Sequence, residues 1–477
     1  MRIDSRRMVG GERFMNVIVS NVLTIENPSQ EALMWCKRNL TIANPEYAKK
    51  ARMHFWTGNT PQKLSLYEQH GNSLILPFGM LRNLPDCIAK ESTFQSAFST
   101  PADVFYSGDD APLYDYQKVA VNALYGAKYG ILQSAAGSGK TQMGIALAKL
   151  LGKRTLWLTH TLDLLRQSKD RAEMYINKDL IGTITEGKVN IGKGITFATI
   201  QTMCKLDLAQ YRNHWDCIIV DECHRVAGTP TAMTQFYKVL NSLSARHKYG
   251  LSATVHRSDG MIEATYALLG RVVYTVPDEA IKDKVMQVGI APIGTGTELD
   301  TECVNSDGTV NYTKLITSLC NNHDRTALIA SWIAKESEHS CLILSDRLEH
   351  LEQLINALPP GLRGNAVMIS GQMTTKKGKI EREQAIEDMR SGKKKYLFAT
   401  YSLAKEGLDI PRLDRLFLAT PKSDYAVITQ SIGRIARTFE GKKDAIAYDF
   451  VDNIGGLVKV YRKRCTSYKK AGCYFVG

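Results

Sequence analysis

Gly130-Ile-Leu-Gln-Ser134-Ala-Ala-Gly-Ser-Gly-Lys140-Thr141-Gln-Met-Gly-Ile-Ala-Leu-Ala-Lys-Leu-Leu151 is the stretch on which the fold turns. An apolar run ending at Leu132 passes into a loop of small residues and leaves at once on a Met/Ile/Ala/Leu helix pattern. Small residues let consecutive backbone N–H groups point into one concavity at a helix N-terminus, where a phosphate is held. Ala136, Gly137, Ser138, Gly139, Lys140 and Thr141 are therefore candidate nucleotide-binding residues, with Lys140 reaching β/γ oxygens and Thr141 holding Mg²⁺. Ser134 stands where the usual pattern has its first glycine. A bare Gly-Lys-Thr has little specificity; the order strand, small-residue loop, helix supplies it.

Downstream, Cys217-Ile-Ile-Val-Asp221-Glu222-Cys223-His224 is an apolar strand that delivers two carboxylates at its C-terminal end. Ligands bind at that end of the strands in open α/β sheets, so Asp221 is expected to share a Mg²⁺ with Thr141 and Glu222 to orient or deprotonate water.

Around these two elements the chain alternates short apolar runs with helix-length amphipathic segments: 130–133, 154–158, 195–198, 217–220 and 247–251, then, after a weaker stretch from 277 to 325, 341–344, 366–369, 396–399, 415–418 and 445–448. Strands buried on both faces and separated by helices predict parallel α/β sheets, in two successive domains. Ahead of them, residues 1–100 predict a small α+β module, with a β-type run from Phe14 to Ile25, a capped helix start at Asn27-Pro28-Ser29, and two short strands, 64–67 and 73–76, around His70-Gly71-Asn72. The turn-rich, acidic stretch 99–112 reads as a linker. The last 22 residues, from Gly456, hold six Lys/Arg and no acid and read as a basic tail. The expected division is 1–100, 101–285, 286–456 and 457–477.

Length and charge fit this plan. A chain of 477 residues with 44% hydrophobic and 23% charged residues has room for several cores and is not a disordered composition. The excess of 61 Lys+Arg over 48 Asp+Glu, a formal +13, predicts association with a polyanion. Ten scattered cysteines with no C-x-x-C pair predict reduced thiols rather than a metal site. No apolar run approaches the 18 or so residues of a membrane span, and no signal-peptide pattern follows Met1, so the expected location is cytoplasmic, without membrane partners.

Asp221-Glu222-Cys223-His224 resembles the Asp-Glu-x-His box of superfamily 2 helicases, and an ordered series of stretches between residues 113 and about 440 is similar to the other motifs of that family. The resemblance implies two tandem RecA-like motor domains behind the small α+β accessory domain, with ATP and Mg²⁺ as cofactors. It implies that Gln117, in Tyr114-Asp-Tyr116-Gln117, reads adenine. Thr161 and Arg166, in 159–167, and Thr199 and Gln201, in 198–202, would contact the nucleic-acid strand. Ser252, Ala253 and Thr254, followed by Arg257 and Asp259, would couple the two sites. In the second domain Gly371 and Thr400 would contact the strand, and Gly407, Asp409 and Gln430 the nucleotide. Arg434 and Arg437 would be catalytic, Arg437 as an arginine finger of the kind worth on the order of 10³ to 10⁵ in rate for phosphoryl transfer. Two positions depart from the pattern: Cys223, where RNA-unwinding members most often have Ala, and Val255, where the nearest DNA-translocating members tend to have Pro.

The segment from Gly250 to Gly260 is similar to motors that move on double-stranded DNA. Asn44-Pro-Glu-Tyr, Phe55-Trp56-Thr-Gly58 and 74–81 resemble the accessory domain of bacteriophage UvsW-like helicases, which remodel forks and recombination junctions. The implied activity is an ATP-dependent DNA helicase that unwinds or branch-migrates forked and four-way DNA, in a bacterial host cytoplasm if phage-borne, alongside other replication and recombination proteins. An RNA helicase, the translocating subunit of a restriction enzyme and a non-hydrolysing ATP-sensing scaffold are the alternatives. Phe55 and Trp56 are as readily core as stacking residues, and the basic stretch 459–470 as readily a solvated face as a duplex-binding strip.

Overall fold

The computed structural model describes residues 15–99, 103–135, 137–255, 257, 259–281, 285–373, 375–405 and 408–476. Ala136 and Gly407, expected at the nucleotide, lie outside the described residues. The chain divides into two compact units, Met1–Ser134 with Gly139–Val276, and Pro277–Gly477 with Ala135–Ser138.

The first unit is built on an eight-stranded sheet in the order Lys188–Asn190, Ile181–Thr185, Ile195–Thr199, Thr155–Thr159, Cys217–Asp221, His247–Ser252, Tyr129–Gln133, Val272–Thr275. All neighbours run parallel except the hairpin at the Lys188–Asn190 edge. The three strands Thr155–Thr159, Ile195–Thr199 and Cys217–Asp221 are buried along their whole length, as strands covered on both faces must be.

The N-terminal module carries its own five-stranded sheet, in the order Glu68–His70, Ser73–Pro77, Val22–Glu26, Met15–Val19, Ser92–Ser96. Of the apolar run expected from Phe14 to Ile25, Phe14 lies outside the described residues and the rest, from Met15, is a hairpin that turns at Ser20-Asn21. The strand expected at 64–67 is corrected: Lys63–Ser65 pairs with Thr41–Ala43, and Glu68–His70 makes the hairpin with Ser73–Pro77. Ser29 caps the helix Gln30–Asn39 through Ala32 N, as its sequence predicts.

This module has its own sheet but shares a core with the α/β sheet. Its core residues Leu23, Ile25, Leu76 and Phe78 belong to one buried cluster with Tyr129, Ala227, Met261, Ala264 and Ala267. The Phe78 and Tyr129 rings lie 4.9 Å apart. At the centre of the joint, fully buried Lys248 donates to Asn21 O (3.2 Å) and Leu240 O (2.7 Å), and Arg212 donates to Asn21 Oδ1 (2.8 Å). The expected linker is strapped to the domain as well: Val104 N donates to Gly152 O (2.9 Å), and buried Tyr106 donates its hydroxyl to Lys153 O (2.8 Å).

The second unit is a seven-stranded, wholly parallel sheet in the order Ala366–Ile369, Tyr396–Thr400, Cys341–Ser345, Arg415–Leu418, Ile446–Val451, Gly289–Gly294, Tyr474–Phe475. The segment expected as a basic tail is folded into it. Gly455–Lys470 is a helix whose buried Arg464 pairs with Asp449 of the sheet (Nη2–Oδ1 2.8 Å), with the Tyr468 hydroxyl donating to Asp449 Oδ2 (2.6 Å). A second buried pair, Arg325–Asp452, joins the helix His323–Lys335 to the end of the same strand (Nε–Oδ1 2.8 Å). All ten cysteines are free, and among the described residues no helix is long and apolar enough to cross a membrane.

Two measurements test these joints. Burial pushes the Lys248 ammonium down from 10.5 to about 7. Between those values the unfolded chain holds a proton that the folded chain has released, so stability should rise as pH goes from 7 to 10. Urea unfolding should show that rise in the wild type and lose it in Lys248→Met. Arg464→Ala should cost about 3–5 kcal/mol, because it leaves Asp449 charged and buried; denaturation of the second unit reads the loss.

Candidate functional site

The register of three neighbouring strands assembles the nucleotide side. Gln133, Ser252 and Leu251 with Asp221 lie at the same C-terminal edge, because Tyr129–Gln133 pairs with His247–Ser252 up to Gln133↔Ser252, and that strand pairs with Cys217–Asp221 up to Leu251↔Asp221. The phosphate loop, the acidic box and the coupling triplet therefore leave the sheet side by side. Gly137 (φ +84°) and Gly139 (φ +81°) take the left-handed conformation that turns successive N–H groups inward, and the helix Lys140–Leu151 starts directly behind. A Cβ at Gly139 would stand 2.4 Å from Gln117 Nε2, so the loop and the expected adenine reader are packed together. Gln117 is buried and accepts from Tyr114 N (3.0 Å), which fixes its side chain. Lys140 Nζ donates to Ser134 O (3.1 Å).

Asp221 is buried, and its Oδ1 accepts from Glu222 N (3.0 Å). Burial first, and Glu222 second, hold its carboxyl well above the usual carboxylate range, with Lys140 and the Ser168 hydroxyl acting in the opposite direction. Glu222 itself has φ +51°, a conformation that costs a non-glycine residue on the order of 1–3 kcal/mol and is met at sites where a side chain must be aimed.

Ser252 joins the three segments. Its carbonyl accepts from Ser134 N (3.0 Å) and its hydroxyl donates to Thr254 O (2.6 Å) and meets His224 Nδ1 (3.1 Å). His224 Nδ1 in turn lies 3.2 Å from Glu222 Oε2. Arg257 donates to His224 O and forks onto Asp259 through Nε (3.0 Å) and Nη2 (2.6 Å). Cys223, the departure from the family pattern, is fully buried, and a Cβ at position 250 would stand 2.6 Å from its Sγ; Gly250 makes the room. Ser168 and His224 belong to this network although sequence reasoning assigns neither a role of its own. Only His224, inside the acidic box, carries a signal that could draw attention to it.

The expected strand-contacting residues of the first unit cluster at the same sheet edge, beyond Thr159 and Thr199. Thr161 caps the helix Leu162–Glu173 by accepting from Leu164 N (3.3 Å), and Gln201 Nε2 donates to His160 O (2.6 Å), tying the two motifs to each other. Thr199 Oγ1 donates to Thr202 Oγ1 (3.0 Å). Arg166 lies on the helix that Thr161 caps.

In the second unit Asp409, Arg434 and Arg437 come together. Arg437 Nη1 pairs with Asp409 Oδ1, and Arg434 Nη1 donates to Leu408 O (3.0 Å), so both arginines on and beyond the helix Tyr425–Ile435 hold the segment after Gly407. Gln430 is buried on that helix. Thr400 Oγ1 and Ser402 Oγ are 2.9 Å apart, and Gly371 is exposed just past the end of the strand Ala366–Ile369.

Two families match the chain. Residues 110–257 match the family described as "Type III restriction enzyme, res subunit", and 324–439 match "Helicase conserved C-terminal domain". A relative from Acanthamoeba polyphaga mimivirus, L396, named as a candidate ATP-dependent RNA helicase, is 26% identical over 84% of this chain and 75% of its own. The DNA 3'-5' translocase XPB2 of Sulfurisphaera tokodaii is 23% identical over 75% of this chain and 85% of its own. Among solved structures, S. cerevisiae Dbp5 bound to RNA and ADP BeF3 shares the fold at 17% identity, covering 76% of this chain and 89% of its own with a TM-score of 0.53. Matched in both halves, and in the order its motifs require, the chain belongs to the superfamily 2 helicases.

Proposed function

We propose that this helicase is an ATP-driven DNA motor that unwinds or branch-migrates forked and four-way DNA. One observation carries the choice of DNA. The segment Gly250–Gly260, whose sequence is similar to that of double-stranded DNA motors, is bound into the nucleotide site through Arg257, which donates to His224 O and is braced by Asp259. The name of the Sulfurisphaera relative, a DNA translocase, supports the same reading, and the name of the mimivirus relative supports RNA as the second reading.

ATP with Mg²⁺ fits the residues present. The left-handed glycines 137 and 139 turn the loop's N–H groups inward, and buried Asp221 beside half-buried Glu222, opposed by Lys140, suits a hard dication. Thr141 and Asp221 would hold the metal, which when bound neutralises charge on the phosphates. Lys140 would contact the β/γ oxygens, Gln117 the base, and Asp409 and Gln430 further parts of the nucleotide. Glu222, aimed by its backbone and flanked by His224, would take the proton of the attacking water. Arg434 and Arg437 would add positive charge at the phosphates. His224 and Ser252 would then report the state of that water site to the strand-contacting residues Thr161, Arg166, Thr199 and Gln201, with Gly371 and Thr400 gripping the strand in the second unit. Contacts of this kind go to the phosphate backbone and give affinity with little base specificity. Opening duplex costs on average about 1.4 kcal/mol of stacking per step, and a junction motor re-forms a pair for each one broken.

ATPase and unwinding measured side by side on single-stranded, forked, four-way and RNA substrates should rank the branched DNAs first; stronger stimulation by RNA would establish the second reading. Metal-dependent cutting of plasmid DNA would instead indicate a restriction translocase. Glu222→Gln should lower turnover by roughly 10²- to 10⁴-fold while nucleotide still binds, measured by phosphate release and by nucleotide titration.

A further inference from the structure

We infer that the loop following the helix Pro45–Arg52 of the N-terminal module is a base-stacking site for an unpaired nucleotide of the bound DNA, with Trp56 as its platform. This rests on the DNA-motor reading above and assigns that motor a contact outside the helicase motifs of residues 113 to about 440.

Trp56 is 87% exposed and Phe55 60%, in a run from Ala51 to Trp56 that is exposed throughout. Two adjacent aromatics left in water forgo a large burial gain unless a partner covers them. The loop that presents them is built. Buried Asn44 donates to Pro61 O (2.8 Å), Thr60 N donates to Thr57 O (2.9 Å), Phe55 N donates to Lys50 O (2.9 Å), and Lys50 Nζ donates to Thr60 Oγ1 (2.7 Å). His54 (φ +54°) and Gly58 (φ +50°) adopt the left-handed turn, and a Cβ at Gly58 would meet the Trp56 ring at 2.8 Å. The indole lies against Gly58, which has no side chain to displace it, on a loop whose backbone is already ordered for a base to stack.

The electrostatics select the partner. Between residues 44 and 63 there are four cations, Lys49, Lys50, Arg52 and Lys63, and one acid, Glu46. Lys50 pairs with that acid (2.8 Å) and lowers its pKa, which leaves Lys49, Arg52 and Lys63 as the exposed, uncompensated cations of this segment. Beside the ring is a cleft of about 350 Å³ whose wall includes Asn44, the paired Glu46 and Lys50, Trp56, Thr231 and Ala232. Thr231 and Ala232 lie on the loop that follows the acidic box, so a base seated there would touch both the module and a loop of the motor sheet. An aromatic platform beside amide and hydroxyl groups in one cleft, on a segment with a surplus of exposed cations, matches an unpaired nucleotide, whose face stacks and whose phosphate is anionic.

The full-length protein tests this with fluorescence anisotropy of labelled forked, single-stranded and blunt duplex DNA. Trp56→Ala should weaken fork and single-strand binding by about tenfold or more and leave blunt duplex nearly unchanged, and Trp56→Phe should retain most of the affinity. Lys49→Gln with Arg52→Gln should reduce the salt slope of fork binding by about 1 for each phosphate that is no longer neutralised. Basal ATPase and thermal stability should not move, since the side chain is exposed and lies outside the nucleotide-binding motifs. Wild-type affinity of Trp56→Ala for forks overturns the inference, and so does abolished self-association with DNA affinity intact, which would make the patch a protein contact. If the wild type binds no nucleic acid, the motor reading itself has failed, and that is seen before any variant is made.

Discussion

Everything chemical in the first unit depends on the parallel register of three strands, because it brings one serine within reach of three loops. Ser252 takes a backbone N–H from the phosphate loop, meets the imidazole of the acidic box and closes its own turn at Thr254. In a low-dielectric edge such short polar links cannot be broken singly at small cost, so a shift of any one loop is felt by the other two. The parallel sheet supplies rigid strand ends, and the loops carry the chemistry.

The parts of the structure legible in the sequence are those whose cause is local. Central strands are short Val/Ile/Leu runs, and all ten expected apolar runs coincide with strands of the two large sheets. Strands at and near the sheet edges are hidden for physical reasons: Lys188–Asn190 is exposed, Gly289–Gly294 contains Pro292 and two glycines, and Tyr474–Phe475 spans only two residues. Lys63–Ser65 invites the wrong neighbour because its partner, Thr41–Ala43, is chosen by chain topology rather than by an adjacent turn. The C-terminal helix reads as a tail because five of its cations face water; composition cannot show that a sixth, Arg464, points inward to Asp449.

For the site, motif order locates the residues but not their connections. Asp221, Glu222 and Lys140 are legible because phosphate chemistry demands those residue types at those element ends. His224 and Arg257 lie in legible motifs, but the bonds between them are tertiary, and Ser168 leaves no spacing signature at all. Trp56 illustrates the opposite limit: an aromatic near a glycine in a polar loop could be buried or exposed, and only the fold decides.

The joint at Asn21 has a consequence for the module and the motor sheet together. Removing the N-terminal module would uncover Tyr129, Ala227, Met261, Ala264 and Ala267 and strip Lys248 of one of its two carbonyl partners and of the Phe78 ring beside it. A module attached in this way cannot be removed without exposing core side chains of the motor sheet. The docking face of the motor and the turn of the module share one buried core, so a change of side-chain volume on either face is felt by the other although one is a small α+β sheet and the other a parallel α/β one.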